Sequence, residues 1–264
     1  MTDEGGTPTT RRHSSGSATG PVLGRALQIL GAFSASCPEM TLSELSRRSG
    51  LPVSTVHRML GELLAWGALE RGDQGCYRVG LRLWEVASLA PRGQGLRERA
   101  LPFLEDLSRI TRENVQLAVR EGTEVVFVER IAGSGAVPVL TRVGGRFALT
   151  ATGVGLVLLA HAPIEIQEQA LAGPIERFTP CTVTDPRELR SMLAEARTHG
   201  YAVSDRQVTM DALSVAAPVH GGGGAVIAAV SLVVRHGSTS AHALARLVRT
   251  SARAISRAMI TPQV

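Results

Sequence analysis

Apolar residues recur at helical spacing near the start of the chain, alternate in twos through its middle, and return to helical spacing at its end. From Pro21 to Ser34, Val22, Leu23, Ala26, Leu27, Leu30 and Phe33 form one stripe, which predicts a first helix with Arg25 pointing outward. A second helix begins at Thr41, where Thr41 and Glu44 make a T-x-x-E capping box. It turns Leu42 and Leu45 inward and stops at Ser49-Gly50. Pro52 suits the first turn of a third helix, whose stripe is Val56, Leu60, Leu63 and Leu64. Ser54 and Arg58 fall almost opposite that stripe, and Thr55 and His57 flank it. Leu69 to Val79 reads as two strands about a Gly/Asp turn.

Leu81 to Leu89 is again helical, with Leu81, Trp84, Val86 and Leu89 apolar, and Pro91 to Gly95 breaks it. Leu96 to Thr111 follows as a helix that Pro102 disturbs or restarts, burying Ala100, Phe103, Leu104, Leu107 and Ile110. Val115 to Arg120 and Glu124 to Ile131 alternate as a hairpin about Glu121-Gly122, and Val139 to Val143 reads as a short strand ended by Gly144-Gly145. Phe147 to Ala160 passes from an extended segment into a glycine-containing apolar helix. Thr179 to Thr184 is a loop, and Asp185-Pro186 caps and starts a helix over Asp185 to Thr198 with Leu189, Met192, Leu193 and Ala196 inward. Strands follow at Tyr201 to Arg206, Leu213 to His220 and Val226 to Val234, the last two joined by Gly221 to Gly224. A final helix over Ala241 to Ile260 turns Leu244, Leu247, Val248, Ile255 and Met259 to one side. The whole reads as α+β, antiparallel strands with helices outside them.

Two stretches carry candidate chemistry. Helix, helix, then hairpin is the order of a winged helix-turn-helix. An apolar back with a short polar front is what a helix reading the DNA major groove requires, and Arg71 and Arg78 on the hairpin would sit beside phosphates. A surface helical hairpin with no partner gives the same pattern. In the second stretch, Gly153 and Gly155 near a helix start offer backbone N–H groups to an anion and leave room for a ligand. Close packing of that helix on a sheet accounts for the same glycines.

Composition narrows the field. The chain has 264 residues, enough for two ordinary domains, and its aromatic content of 3% leaves Leu, Val and Ala to build the core. Net charge is +5 and all 28 basic residues other than histidine are arginine, a weak pull towards polyanions by itself. No apolar run approaches a membrane span and no hydrophobic signal segment opens the chain, so a cytoplasmic protein without a membrane partner is expected. Cys37, Cys76 and Cys181 follow no metal or disulfide spacing, and neither metal nor cofactor is expected. His161, His199, His220, His236 and His242 are scattered, Ser231 lacks a G-x-S-x-G setting, and Asp205 and Asp211 suit surface turns. No catalytic residues, and no enzyme, are expected. Arg11, Arg12 and His13 fall in a Gly/Ser/Thr-rich tail without apolar period.

The order of parts from about Val22 onward resembles the IclR family of bacterial transcription regulators. The resemblance is carried by GRALQIL at Gly24, LPVSTVHRML at Leu51, RVGGRFALTATGVG at Arg142, TDPREL at Thr184, GYAVSD at Gly200 and VAAPV at Val215. After a tail over residues 1–19 whose composition reads as disordered, it implies a winged helix-turn-helix domain over 20–80, a linker helix over 81–95, and a GAF-like α/β effector-binding and oligomerisation domain over 96–264. Thr41, Ser43, Val53, Ser54, Thr55, His57, Arg58, Arg71 and Arg78 would face double-stranded operator DNA, as a homodimer or homotetramer. Family members often carry Lys at the position of Val53, so one phosphate contact is missing. The effector pocket implied is lined by Phe147, Gly153, Val154, Ser204, Ala212, Ser214, Ser231 and Val233. Members that bind small organic acids often have Asp at Ser204, Cys at Ser214, Ser at Val233 and Gly at Asp211. The departures point to an organic acid or a less polar or larger metabolite. A repressor is expected, with an activator of the same architecture, or an architectural DNA binder that senses nothing, as alternatives.

Overall fold

The computed structural model describes residues 21–34, 36–90 and 94–260; the tail expected over 1–19, with Arg11, Arg12 and His13, lies outside them. The chain forms two compact units, one ending at Ala90 and one beginning at Pro91.

The first unit runs α1 (Val22–Gly31), β1 (Glu39–Met40), α2 (Leu42–Ser49), α3 (Val53–Trp66), β2 (Leu69–Arg71), β3 (Tyr77–Val79) and α4 (Leu81–Ala87). The capping box forms as the sequence expects: Glu44 N–H donates to Thr41 Oγ1 at 3.4 Å, and Thr41 N–H donates to the Glu44 carboxylate at 2.8 Å. Gly50, at φ +72°, ends α2 in the left-handed region that a side chain resists. Ile29, Leu45, Val56, Met59, Leu60 and Leu69 close the small core. Two details differ from expectation. The strands make a three-stranded sheet in the order β1-β3-β2, because Glu39 and Met40 pair with Arg78 and Tyr77. In α1, Ala26, Ile29, Leu30 and Phe33 turn to the core, while Val22, Leu23 and Leu27 are 58%, 70% and 57% exposed. The helix is apolar on two sides and only one can be covered. Arg25 is half buried rather than outward, with its Nε unpartnered.

The second unit runs α5 (Gln94–Thr111), β4 (Asn114–Glu121), β5 (Glu124–Ile131), β6 (Arg146–Ala148), α6 (Gly153–Ala160), α7 (Ile164–Ala172), α8 (Pro186–His199), β7 (Ala202–Asp205), β8 (Ala212–His220), β9 (Val226–Arg235) and α9 (Ala241–Ile260). Six strands pair antiparallel in the order β6-β5-β4-β9-β8-β7. One face carries Val115, Leu117, Val215, Val230 and Leu232 under α5 and α9. The other carries Ala118, Phe127, Ala216 and Ala229 under α6, α7 and α8. Alternation along each strand thus feeds two separate cores.

Several expectations need correction here. Pro102 does not restart the helix: α5 runs through it from Gln94, with Pro102 on the exposed side. The lost N–H bond is outweighed by Ala100, Leu104 and Leu107 buried on the sheet. Ile110 is 74% exposed and Leu247 is 40% exposed, so neither is inward. The stretch 81–95 is not one helix, since α4 ends at Ala87 and α5 starts at Gln94. Val139 to Val143 is a loop: Val137 and Val139 pack on Ala212 and Val233 by their side chains, and Asn114 Nδ2 takes the Val137 carbonyl that a neighbouring strand would need. Strand β6 is the short extended segment expected at Phe147, whereas helix α7 had no counterpart in the sequence pattern.

Candidate nucleic-acid interface and ligand cavity

Helix α3 buries Val56, Met59 and Leu60 and leaves Val53, Ser54, His57, Arg58 and Gly61 exposed. Ser54, His57, Arg58 and Gly61 stand at i, i+3, i+4 and i+7, so they form one continuous face. Ser54, His57 and Arg58 offer hydrogen-bonding groups of the kind that read base edges, and Gly61 lets backbone approach closely. Gly61 carries no periodicity signal, and sequence reasoning passed over it. Thr55 is half buried at the margin. Ser43 is exposed on α2 and shares a face with Arg47, four residues on, which the sequence reading also omitted.

Three further residues have local duties. The Thr41 hydroxyl donates to Glu44 at 2.8 Å while capping α2, and these contacts with Thr41 hold the Glu44 carboxyl below the usual carboxylate range. Arg78 pairs with Glu70 at 3.3 Å and Glu39 at 3.8 Å. The Leu81 N–H donates to Glu70, and this bond, with Arg78, lowers the Glu70 pKa. Arg71 lies 5.9 Å from the centre of the Tyr77 ring.

The cavity is a product of strand register. Ser204 pairs with Ser214, Ser214 with Val233, and Val233 with Asn114, one row across β7, β8, β9 and β4. The next row is Ala202, Ala216, Ser231 and Gln116. These small and polar residues interrupt an otherwise apolar face and leave space beside the start of α6, where its cap Thr152 joins the lining. Ser231 donates to Gln116 Oε1 at 3.4 Å, and Gln116 Nε2 donates to Thr141 Oγ1, which stitches the 132–145 loop to the floor. Gln207 is held by Val183 N–H at 3.1 Å, and its carbonyl accepts from Thr182.

The space between these residues is about 420 Å³ counted with its open mouth. Of the expected pocket residues, Ser204, Ala212, Ser214 and Val233 line it. Gln116, Thr141, Thr152, Gln207 and Thr209 join them and escaped the sequence reading. Phe147 instead meets Phe127 and Phe178, at centroid distances of 6.1 and 5.7 Å. Val154 sits in the core, and Ser231 lies behind Gln116. Gly153 is a packing contact: a Cβ there would stand 2.7 Å from Ser214 Oγ. At Gly155 a Cβ would stand 2.4 Å from the Leu149 carbonyl oxygen. Close packing therefore accounts for both glycines, and the Thr152 hydroxyl already accepts the Gly155 N–H at 3.0 Å.

Among the described residues, no charged side chain lines the cavity. Its hydroxyl and amide groups can donate to a carboxylate, phenol or carbonyl without a full counter-charge. Asp211 is exposed and outside the lining, so it repels nothing within. Asp205 is taken up by His236 at 2.7 Å and Arg206 at 3.4 Å. Among the described residues, no cluster of three or more His, Cys, Asp and Glu is placed to hold a metal, and no helix is long and apolar enough to cross a membrane.

Two family models match: the IclR helix-turn-helix domain over residues 22–73 and the bacterial transcriptional regulator IclR C-terminal domain over residues 90–257. The HTH-type transcriptional regulator XynR of Escherichia coli (strain K12) is 34% identical over 210 residues, 79% of this chain and 83% of that protein. The HTH-type transcriptional repressor AllR of the same organism is 29% identical over 212 residues, 80% of this chain and 78% of that protein. A solved IclR homolog from Microbacterium hydrocarbonoxydans, complexed with 4-hydroxybenzoate, superposes with a TM-score of 0.87 at 38% identity, covering 90% of this chain and 99% of that one. These relatives are transcriptional regulators, not enzymes.

Proposed function

The chain belongs to the IclR family of bacterial transcriptional regulators, and from that premise we propose that it is a repressor whose operator affinity is set by a small organic ligand in the cavity of its second unit. The observation that carries this reading is the polar face Ser54, His57, Arg58 and Gly61 on α3, paired in one chain with an uncharged, hydrogen-bonding cavity. The ligand is a small aromatic hydroxy acid or a neutral polar relative of one. Support comes from the donor-rich lining and from the 4-hydroxybenzoate held by the homolog at 38% identity. The expected residues Phe147, Gly153, Val154 and Ser231 act on the ligand only through the packing they support.

Two copies present two reading faces whose spacing matches two half-sites. Val22, Leu23 and Leu27 on α1, and Trp84, Val86 and Leu89 on and after α4, are exposed apolar side chains that favour self-association. A ligand shifts operator affinity only by its preference for one arrangement, commonly about 1–3 kcal/mol.

The test is fluorescence anisotropy of the protein on DNA from upstream of its own and neighbouring genes, across a salt series, with and without 4-hydroxybenzoate and its neutral analogues. Salt-sensitive, sequence-dependent binding that weakens with ligand is the expected result. Binding that strengthens with ligand makes the protein an activator or co-repressed regulator; sequence-dependent binding with no ligand response makes it an architectural binder. Absence of any sequence preference overturns the reading.

A further inference from the structure

What the cavity selects depends on which of its polar groups donate a hydrogen bond and which accept. A hydroxyl can do either, and a side-chain amide can be turned end for end, unless a partner with a single role fixes it. Backbone N–H groups and carbonyls are such partners, and three buried lining residues are held by them: Thr152, Ser204 and Gln207.

Ser204, 4% exposed, lies 2.6 Å from the Ala151 carbonyl, which can only accept. Its hydrogen is therefore committed to Ala151, and Ser204 Oγ has lone pairs alone to offer a ligand. Thr152 Oγ1 accepts the Gly155 N–H at 3.0 Å and donates to none of the described residues, so its hydrogen is left for a ligand. Gln207, 3% exposed, meets the Val183 N–H at 3.1 Å, and a donor there requires Oε1 at that place. Its Nε2 then carries two hydrogens with no acceptor among the described residues. Ser204 and Thr152 are neighbours, because Ala151, which Ser204 binds, precedes Thr152 in the chain. Gln207 comes from the turn between β7 and β8. Ser214, beside Ser204 in the same row, has no hydrogen-bond partner among the described residues and can turn either way.

We propose that Ser204 is the specificity-determining residue of this cavity: it accepts a hydrogen bond from a hydroxyl or amino group of the ligand, Thr152 donates back to that same group, and Gln207 donates to the ligand's carboxylate. The class selected is a hydroxy or amino aromatic acid, in preference to an acid of the same size without the donor. Both kinds of acid lose water on entry, and only the one with a donor regains at Ser204 what it gave up. This inference rests on the cavity being the ligand site, and adds which ligands it prefers and which side chain makes the choice.

The test is calorimetric titration of the full chain with 4-hydroxybenzoate, 4-aminobenzoate and 4-fluorobenzoate, the last close in size to the first but without a donor. The hydroxy and amino acids are expected to bind at least about tenfold more tightly than the fluoro acid. In Ser204→Ala that ratio falls to within about twofold. In Ser214→Ala all three acids weaken together and the ratio stays. Gln207→Glu, which keeps an acceptor for Val183 and replaces the donor with a second acceptor, also weakens all three and leaves the ratio. A side chain that only supported the fold would lower every affinity alike. Equal binding of the hydroxy and fluoro acids by the unmodified chain overturns the proposal and leaves the cavity as the ligand site. Binding of none of the three overturns it together with that reading. A Ser204→Ala chain that keeps the full ratio, or that binds none of the three, also overturns it.

Discussion

The two candidate sites of this chain are built on opposite plans. The candidate DNA-facing surface is a single helical face, Ser54 to Gly61, and its geometry follows from one local rule of 3.6 residues per turn. The cavity is drawn from strands, loops and a helix cap scattered between Gln116 and Val233, and no local rule brings them together. A site confined to one element tolerates local change and loses only what the altered side chain did. A site built by register shares its supports with the core, so changes there act on folding and on binding at once.

That contrast can be broken by measurement. The largest effect is expected at Gly155→Leu, where the first added carbon would meet the Leu149 carbonyl at 2.4 Å and the helix cannot withdraw. Overpacking of this kind costs about 1–3 kcal/mol or more, and the variant should melt well below the parent chain in a thermal scan. Normal melting would show α6 to be looser than drawn. Gly153→Leu, against Ser214 at 2.7 Å, should likewise combine a lower melting temperature with a lost ligand response, rather than the second alone.

Next in size is Arg58→Ala, which should weaken operator binding at least about tenfold, about 1.4 kcal/mol, while the melting temperature and oligomeric state hold. Unchanged footprints would remove Arg58 from the reading face. Ser214→Ala, which removes only the hydroxyl, should weaken ligand binding by about 1 kcal/mol without altering DNA affinity in the absence of ligand. If ligand titrations of the two proteins superpose, the ligand does not touch that row.

The smallest effects test the local plan. Thr41→Ala should cost about 1 kcal/mol through the lost cap of α2, read as faster amide exchange in that helix. The cap also has a pH signature. Folding holds the Glu44 carboxyl below its ordinary value of 4.5, so its contribution is complete above that pH and disappears as pH falls through the depressed value. Glu44→Gln should flatten that acid-side loss; an unchanged profile would assign it to another carboxylate.

The same contrast explains what could be read beforehand. The capping box at Thr41, the stop at Gly50 and the exposed Ser54 and Arg58 are local, and the sequence carries them outright. Ser204, Ser214 and Val233 entered through family resemblance. Gln116 and Thr141 did not, because their partnership spans two segments and shows no pattern in either. The loop at Val139 alternates like a strand, but alternation does not say whether a neighbouring strand is there to pair with. On α1, apolar residues on two sides left the choice of buried side to tertiary contact, which selected Ile29.

The outermost strands of the six-stranded sheet, β6 and β7, have three and four residues. Rims this short present few unpaired amides and carbonyls for a foreign strand to zip onto. A fibrillar, strand-by-strand mode of growth finds little foothold on them.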